Sequence, residues 1–382
     1  MLDRIVDFLE ALGVHDPGSL GSVTVVITFV IAALVAWWFT PRTRMYSMRK
    51  GMADEPNVRR VNEEPLPNAG GLAIYAAVIF ALVIATMLRG IVIADVQEQI
   101  LAILLGASFV VLAGFIDDQF GLSPLFRLGV QLIAALLLVG TGIRINVTFG
   151  GDFATLISAV FTVIWIMVIT NAINLLDGVD GLAAGVSAIT AFCLLAVSAQ
   201  FEERAAATIL LAAVAGAALG FLRHNFPPSR IIMGDSGAYF FGFVLAASAL
   251  LGSLKTTTIM GLGPALIFLG LMFLLPLADT LQVVTRRLLR RKNPITTPGR
   301  DHLHHQLLAR GFSQRRTTLI LWTLTLATNV GAMIVEHMNT AVVVTTAVCT
   351  VLLLSFVVWR RLRALRKTKA ETAGEVPPSP VD

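Results

Sequence analysis

Long apolar runs alternate with short polar ones from residue 21 to residue 360, and the apolar runs are about as long as a bilayer core is thick. Stretches of about 20 residues with few charges fit 21–40, 69–88, 98–116, 125–142, 153–172, 182–200, 205–222, 237–254, 262–285, 317–336 and 340–359. The pattern predicts an all-α, polytopic integral membrane protein with about eleven transmembrane helices. Residues 1–20 differ: Ile5, Val6, Phe8, Leu9 and Leu12 recur at helical spacing among Asp3, Asp7 and Glu10, which reads as an interfacial amphipathic segment. Its acidic residues stand where a signal peptide would be basic. Residues 361–382, polar and proline-containing toward the end, read as a disordered cytosolic tail. The chain between these ends, 21–360, reads as one transmembrane domain whose polar loops carry the chemistry.

Charge orients the pattern. Of the 29 lysines and arginines, 24 fall on one side of an eleven-span layout, and Arg4, Arg89, Arg144, Arg204 and Lys255 on the other. The positive-inside rule then places the N-terminus outside and the C-terminus in the cytosol. Trp37, Trp38 and Trp359 lie at span ends, where interfacial anchors belong. With 56% hydrophobic and 14% charged residues among 382, the composition excludes a soluble enzyme. The net charge of +5 sits in the loops, so membrane orientation accounts for it and no nucleic-acid partner is expected. Cys193 and Cys349, each inside an apolar run, leave neither a disulfide framework nor a zinc ribbon.

The same parity sends five polar clusters to the cytosolic face: Pro65 to Gly71, Asp117 to Pro124, Asn171 to Gly181, His224 to Gly237 and Asp301 to His305. Simple turns would have been divided between the two faces. The third cluster sets Asn171, Asn174, Asp177 and Asp180 at the end of a span, where polar groups are costly unless they function. Asp117 and Asp118 point about 100° apart on a helix, so one can face a metal or a neighbouring helix while the other faces a substrate. Their mutual repulsion suits one of them to a base role, and a capping pair is the alternative. Asp235, flanked by Gly234 and Gly237 at the head of a span, suits an ion bridging to phosphates. Hard oxygen ligands of this kind select Mg²⁺, with Mn²⁺ second, over zinc. His302, His304 and His305 follow Arg286, Arg287, Arg290, Arg291, Lys292 and Arg300, a combination that points to an anionic ligand such as a diphosphate. Asp279, near a span end, is expected to pair with an arginine, and His224 reads as either a site residue or a basic cap.

Taken in order, these blocks resemble the polyprenyl-phosphate N-acetylhexosamine-1-phosphate transferase superfamily. The matching residues are Pro67-x-x-Gly70-Gly71, Asp117-Asp118-x-x-x-Leu122, Asn171 through Gly181, Asn225 with Met233-Gly234-Asp235, and His302-Leu303-His304-His305. The histidine block is similar to that of the undecaprenyl-phosphate N-acetylglucosamine-1-phosphate transferases of the WecA and TagO type. The phospho-N-acetylmuramoyl-pentapeptide transferases, with a different histidine block, rank second. The resemblance implies that N-acetylglucosamine-1-phosphate passes from UDP-N-acetylglucosamine to undecaprenyl phosphate. The products are undecaprenyl-diphospho-N-acetylglucosamine and UMP, made with Mg²⁺ at the cytosolic face of a bacterial inner membrane. This would be the first membrane step of an envelope polysaccharide.

It further implies that Asn174 and Asp235 hold the metal, that Asp180 lies near the uracil and that Asp117 is a base for the lipid phosphate. Asp118 and Asp177 join the catalytic set, and Asn171, Asn225, Arg300 and the three histidines join the substrate-binding set. Two departures stand out: Ile232 occupies a place where an aromatic residue often stacks on uracil, and Ala238 replaces a common serine. Membrane lipids are further expected partners, and a homodimer is compatible with the chain. An ion-coupled carrier would use the same carboxylates as a proton relay, but it would hold them at the midplane and show inverted repeats, unlike this sequence.

Overall fold

The computed structural model describes residues 21–54, 65–88, 97–145, 151–201, 204–253, 259–293, 299 and 301–374. Among the described residues there are thirteen helices: α1 (Gly21–Arg49), α2 (Gly70–Leu88), α3 (Gln97–Phe120), α4 (Pro124–Gly140), α5 (Gly151–Leu176), α6 (Leu182–Ser198), α7 (Ala205–Asn225), α8 (Gly234–Ser253), α9 (Ile259–Met272), α10 (Leu274–Leu289), α11 (Leu303–Ala309), α12 (Gln314–Val335) and α13 (Thr340–Gly374). A two-residue antiparallel pairing joins β1 (Ala53–Asp54) to β2 (Leu66–Pro67). The protein is an all-α, polytopic membrane protein. Eight helices, α1, α2, α3, α5, α7, α8, α12 and α13, are long and apolar enough to cross a bilayer. Two more expected spans fall on the shorter apolar helices α4 and α6, of 17 residues each.

The remaining expected span, 262–285, is broken between α9 and α10 by a bend of 81°. Pro276 gives the reason. It has no N–H for the carbonyl of Met272, and its ring crowds that carbonyl, so it is tolerated only in the first turn of a new helix. Asn329 of α12 donates its Nδ2 to the stranded Met272 oxygen at 2.9 Å.

The centre of the bundle is α7, whose apolar window is buried throughout, with α8 beside it at 94%. Lipid tails are as apolar as leucine, so helices in a membrane associate through close packing rather than through expulsion of water. The alanine-rich α7 uses that rule. A methyl group at Gly216 would lie 2.2 Å from the Phe29 carbonyl oxygen, and one at Gly220 would lie 2.2 Å from that of Ala33, so these two glycines let α1 seat its backbone on α7. On the outside, Leu34, Leu101, Phe161 and Leu352 are exposed, as lipid-facing side chains are.

One expectation is corrected. The stretch 361–374, expected to open a disordered tail, continues helix α13 to Gly374. Its Arg361-Leu-Arg-Ala-Leu-Arg366 run consists of good helix formers, and Arg361 is itself buried. Residues 375–382 and the expected interfacial segment 1–20 lie outside the described residues.

Candidate active site

Three sequence blocks meet at the head of α8. The chain from Pro67 to Gly71 runs beside residues 231–233: Ile232 N–H donates to the Pro67 carbonyl at 2.9 Å, Gly70 N–H to Ile232 at 3.1 Å and Gly71 N–H to Met233 at 2.8 Å. A methyl group at Gly71 would fall 2.2 Å from the Gly237 nitrogen, and one at Gly114 of α3 would fall 2.5 Å from the Ser236 nitrogen. Only residues without side chains allow α2, α3 and α8 to approach this closely.

Asp118 locks the junction. Its Oδ1 accepts from the Asp235 N–H at 2.8 Å, and its Oδ2 accepts from the Ser236 N–H at 3.2 Å and the Ser236 hydroxyl at 3.1 Å. A carboxylate from α3 thus satisfies the unpaired donors of the first turn of α8 and complements its dipole. Asn68 Nδ2 completes the joint by donating to the Asp118 carbonyl at 3.0 Å. The capping reading of the aspartate pair describes Asp118.

Its neighbour points elsewhere. Asp117 Oδ1 accepts from the Leu122 N–H at 2.5 Å, and Oδ2 receives Arg127 Nη1 at 2.9 Å. The same Arg127 nitrogen lies 3.5 Å from Asp235 Oδ2, while Asn174 Nδ2 donates to Asp235 Oδ1 at 2.8 Å. Asp117, Arg127, Asp235 and Asn174 therefore form one chain of contacts drawn from α3, α4, α8 and α5. The Asp117 side chain is only 6% exposed, whereas those of Arg127 and Asp235 are each 25% exposed, so the group opens outward on the Asp235 side. The carboxylate of Asp235 and the amide of Asn174 are hard oxygen donors of the kind that binds Mg²⁺, an ion that ordinarily takes only one or two protein carboxylates and fills its shell with water and phosphate. The donor set fits that ion.

Arg127 was hidden in the sequence among loop cations. Its signal is positional: it sits in the first turn of α4, directly behind the Ser123 cap and Pro124, ten residues past Asp117. Gln131, one turn further, exchanges hydrogen bonds with Asn171, whose Nδ2 donates to Gln131 Oε1 at 2.5 Å and to the Met167 carbonyl at 2.7 Å. Asn171 is thus engaged in joining α4 to α5, one turn before Asn174.

The remaining residues frame a rim. Asp177 is half-buried just beyond α5, its N–H bonded to the Asn174 carbonyl at 3.1 Å. Asp180 is buried, with Oδ2 accepting from the Ser229 N–H at 2.8 Å and Oδ1 from the Ser229 hydroxyl at 2.9 Å. Asn225 Nδ2 donates to the Ile231 carbonyl at 2.9 Å, so these two residues shape the 225–231 turn. His304 closes the rim from α11: a methyl group at Gly178 would lie 2.6 Å from its Nε2.

The three histidines pack ring to ring, with centroids of His304 and His305 4.3 Å apart and His302 stacked on His304 at 5.5 Å. Burial, with the nearby His305 and His302, pushes the His304 imidazole down to about 3 against a weaker opposing pull from Asp279, so it is neutral near pH 7. Asp279, expected to pair with an arginine, instead accepts from the Leu303 N–H at 2.6 Å and lies 2.7 Å from His302 Nδ1. A carboxylate at that place caps α11 and fixes the histidine block in one contact. Arg300 lies outside the described residues.

The carboxylates Asp117 and Asp235 gather with Asn174 at neighbouring ends of α3, α8 and α5, next to glycine-lined helix heads, an arrangement suited to binding phosphates. The sequence profile of Glycosyl transferase family 4 matches residues 100–253, which include Asp117, Asn174 and Asp235. A probable undecaprenyl-phosphate N-acetylglucosaminyl 1-phosphate transferase of Bacillus subtilis (strain 168) is 34% identical, over 82% of this chain and 86% of the relative. A decaprenyl-phosphate N-acetylglucosaminephosphotransferase of Mycolicibacterium smegmatis is 33% identical, over 76% of this chain and 77% of the relative. A phospho-N-acetylmuramoyl-pentapeptide-transferase of Bacillus cytotoxicus is 29% identical, over 79% and 93%. The chain belongs to glycosyl transferase family 4, the superfamily of polyprenyl-phosphate N-acetylhexosamine-1-phosphate transferases. It is a phosphoglycosyl transferase of the N-acetylglucosamine-1-phosphate type, with the muramoyl-pentapeptide branch more distant.

Proposed function

We propose that the enzyme transfers N-acetylglucosamine-1-phosphate from UDP-N-acetylglucosamine to undecaprenyl phosphate, releases UMP, requires Mg²⁺ and works on the cytosolic face of the inner membrane. The observation that carries this reading is the contact chain Asp117–Arg127–Asp235–Asn174 at the head of α8. The names of the relatives at 33% and 34% identity support the choice of sugar and lipid.

The reaction breaks one phosphoanhydride bond and makes another, so it is nearly balanced, and the protein has to align the attack and neutralise charge. An oxygen of the lipid phosphate attacks the sugar-bearing phosphorus, and the bond from that phosphorus to UMP breaks. A proton on the attacking phosphate passes to Asp117, which the Leu122 N–H holds in place. Arg127 balances Asp117 and Asp235 between turnovers and has further guanidinium nitrogens to offer a diphosphate. Asp235 and Asn174 would hold Mg²⁺, which when bound supplies Lewis-acid neutralisation of the diphosphate. Asp118 acts through the backbone of Asp235, as a positioning residue.

The test is direct. Purified full-length enzyme with undecaprenyl phosphate is offered radiolabelled UDP-N-acetylglucosamine or UDP-N-acetylmuramoyl-pentapeptide, with Mg²⁺ or with a chelator. Labelled lipid should form from the first donor alone and only with the metal. Label from the pentapeptide donor alone would move the protein to the sister branch, and unchanged turnover under chelation would remove the metal.

A further inference from the structure

The α13 helix carries an arginine that the transfer reaction does not use. Arg361 is 1% exposed, and its Nη2 donates to the Pro228 carbonyl. Its Nε and Nη1 are buried with no hydrogen-bond partner among the described residues. It also lies within electrostatic reach of three other arginines, Arg230, Arg223 and Arg315, while both oxygens of the nearby Asp180 are engaged by Ser229. Arg360 adds to the field at Arg223. A buried cation is costly unless paired, and each unmet buried donor adds to that cost, so a cluster of like charges with an unfilled guanidinium at its floor calls for an anion. Arg230, Arg315 and Arg360 are exposed, which leaves the cluster open to the surface.

Depth narrows the ligand. Arg360 and Arg361 directly follow Trp359, and His224, beside Arg223, lies 3.0 Å from the Trp37 carbonyl. Trp37, Trp38 and Trp359 are all exposed, and exposed tryptophans at span ends mark the headgroup level, where basic clusters attract anionic lipids. The unpartnered nitrogens Nε and Nη1 still have donors to offer, and a hydrogen bond from a guanidinium to a phosphate oxygen is charge-assisted, roughly twice as strong as a neutral one.

We infer that Arg361, walled by Arg223, Arg230, Arg315 and Arg360, forms an anion site that holds the phosphate of an anionic phospholipid beside the 225–231 turn. The bound headgroup braces that turn, and hence Asp180, from the lipid side.

Native mass spectrometry of the full-length protein titrated with phosphatidylglycerol or phosphatidylcholine tests this, with inorganic phosphate as the soluble probe. One phosphatidylglycerol should be retained in preference to phosphatidylcholine, and Arg361→Gln should weaken that retention roughly tenfold or more, whereas Lys292→Gln, an equal charge loss elsewhere, should not. If Arg361→Gln does not fold, the double variant Arg223→Gln/Arg360→Gln at the open rim is judged by the same criterion. Equal retention of the two lipids, or equal phosphatidylglycerol binding by folded wild type and variant, overturns the site. Arg361-dependent stabilisation by inorganic phosphate, without preference for phosphatidylglycerol, would keep the anion site and overturn the lipid.

Discussion

Asp117 and Asp118 are adjacent, yet they belong to two regions built on different principles. Around Asp118 the partners are backbone N–H groups, a serine hydroxyl and glycine-lined helix crossings, so each contact is made for the fold. Around Asp117 the partners include other charged side chains, and the group opens outward through the partly exposed Asp235 and Arg127. The difference teaches how to read paired carboxylates at a membrane face. A carboxylate that neutralises a helix head is a joint, and one balanced by a partly exposed side-chain cation is available for chemistry.

Substitutions should separate the two regions, and the largest effect belongs to Asp235. Asp235→Asn keeps the shape and an oxygen for Asn174 but removes the charge that a metal or Arg127 needs. Turnover should fall by about 10³-fold or more, with the melting temperature unchanged. Substantial activity in this variant would exclude Asp235 from the reactive group. Arg127→Lys comes next: a single Arg127 nitrogen bridges both carboxylates, and a lysine in its place would keep a cation but lose the further guanidinium donors open to a diphosphate. A loss of roughly 10²-fold in kcat/KM is expected, again without loss of folded protein. A drop in stability that matched the drop in rate would move Arg127 to the structural side.

Asp118→Ala should show the reverse pattern. Losing a charged cap and its hydrogen bonds costs about 2 kcal/mol, seen as a lower melting temperature and less monodisperse protein after extraction. Whatever folds should retain UDP-sugar binding. An Asp118→Ala enzyme with wild-type stability and no turnover would place both aspartates in the chemistry.

The sequence made much of this division visible, though unevenly. Apolar runs of membrane length located the helices because in hydrocarbon the backbone must satisfy itself, and a helix does so within one segment. Gly234 and Gly237 marked Asp235 in the sequence, whereas the close approaches at Gly71 and Gly114 emerged only in the fold. What the sequence could not show is which neighbour a polar side chain meets across helices. Arg127 looked like any loop cation until α3 and α8 brought Asp117 and Asp235 to it. Asp279 met His302 rather than an arginine because the break at Pro276 redirects α10, and a break is not visible in hydropathy. The helix through 361–374 was missed because a basic run has the composition of a tail while its leucines, alanine and arginines have helix propensity.

The smallest expected effect concerns His304, which the packing assigns to the same side of the comparison as Asp118. Its ring is fully buried against Gly178, and both of its nitrogens lack hydrogen-bond partners among the described residues. In the unfolded chain it titrates near the usual 6.5, and in the fold at about 3. Between those values the unfolded chain takes up a proton that the folded protein refuses. Stability is therefore fully present above pH 6.5 and declines as the pH falls, by about 1.4 kcal/mol per pH unit for one such group. At pH 5.5 that amounts to about 1.4 kcal/mol, a modest drop in melting temperature. His304→Gln cannot take up this proton, so its melting temperature should change less between pH 8 and pH 5.5 than that of the wild type. Parallel curves for the two proteins would show that His304 is not held neutral by burial. They would return the histidine block to the reactive side, as a cation available to a diphosphate.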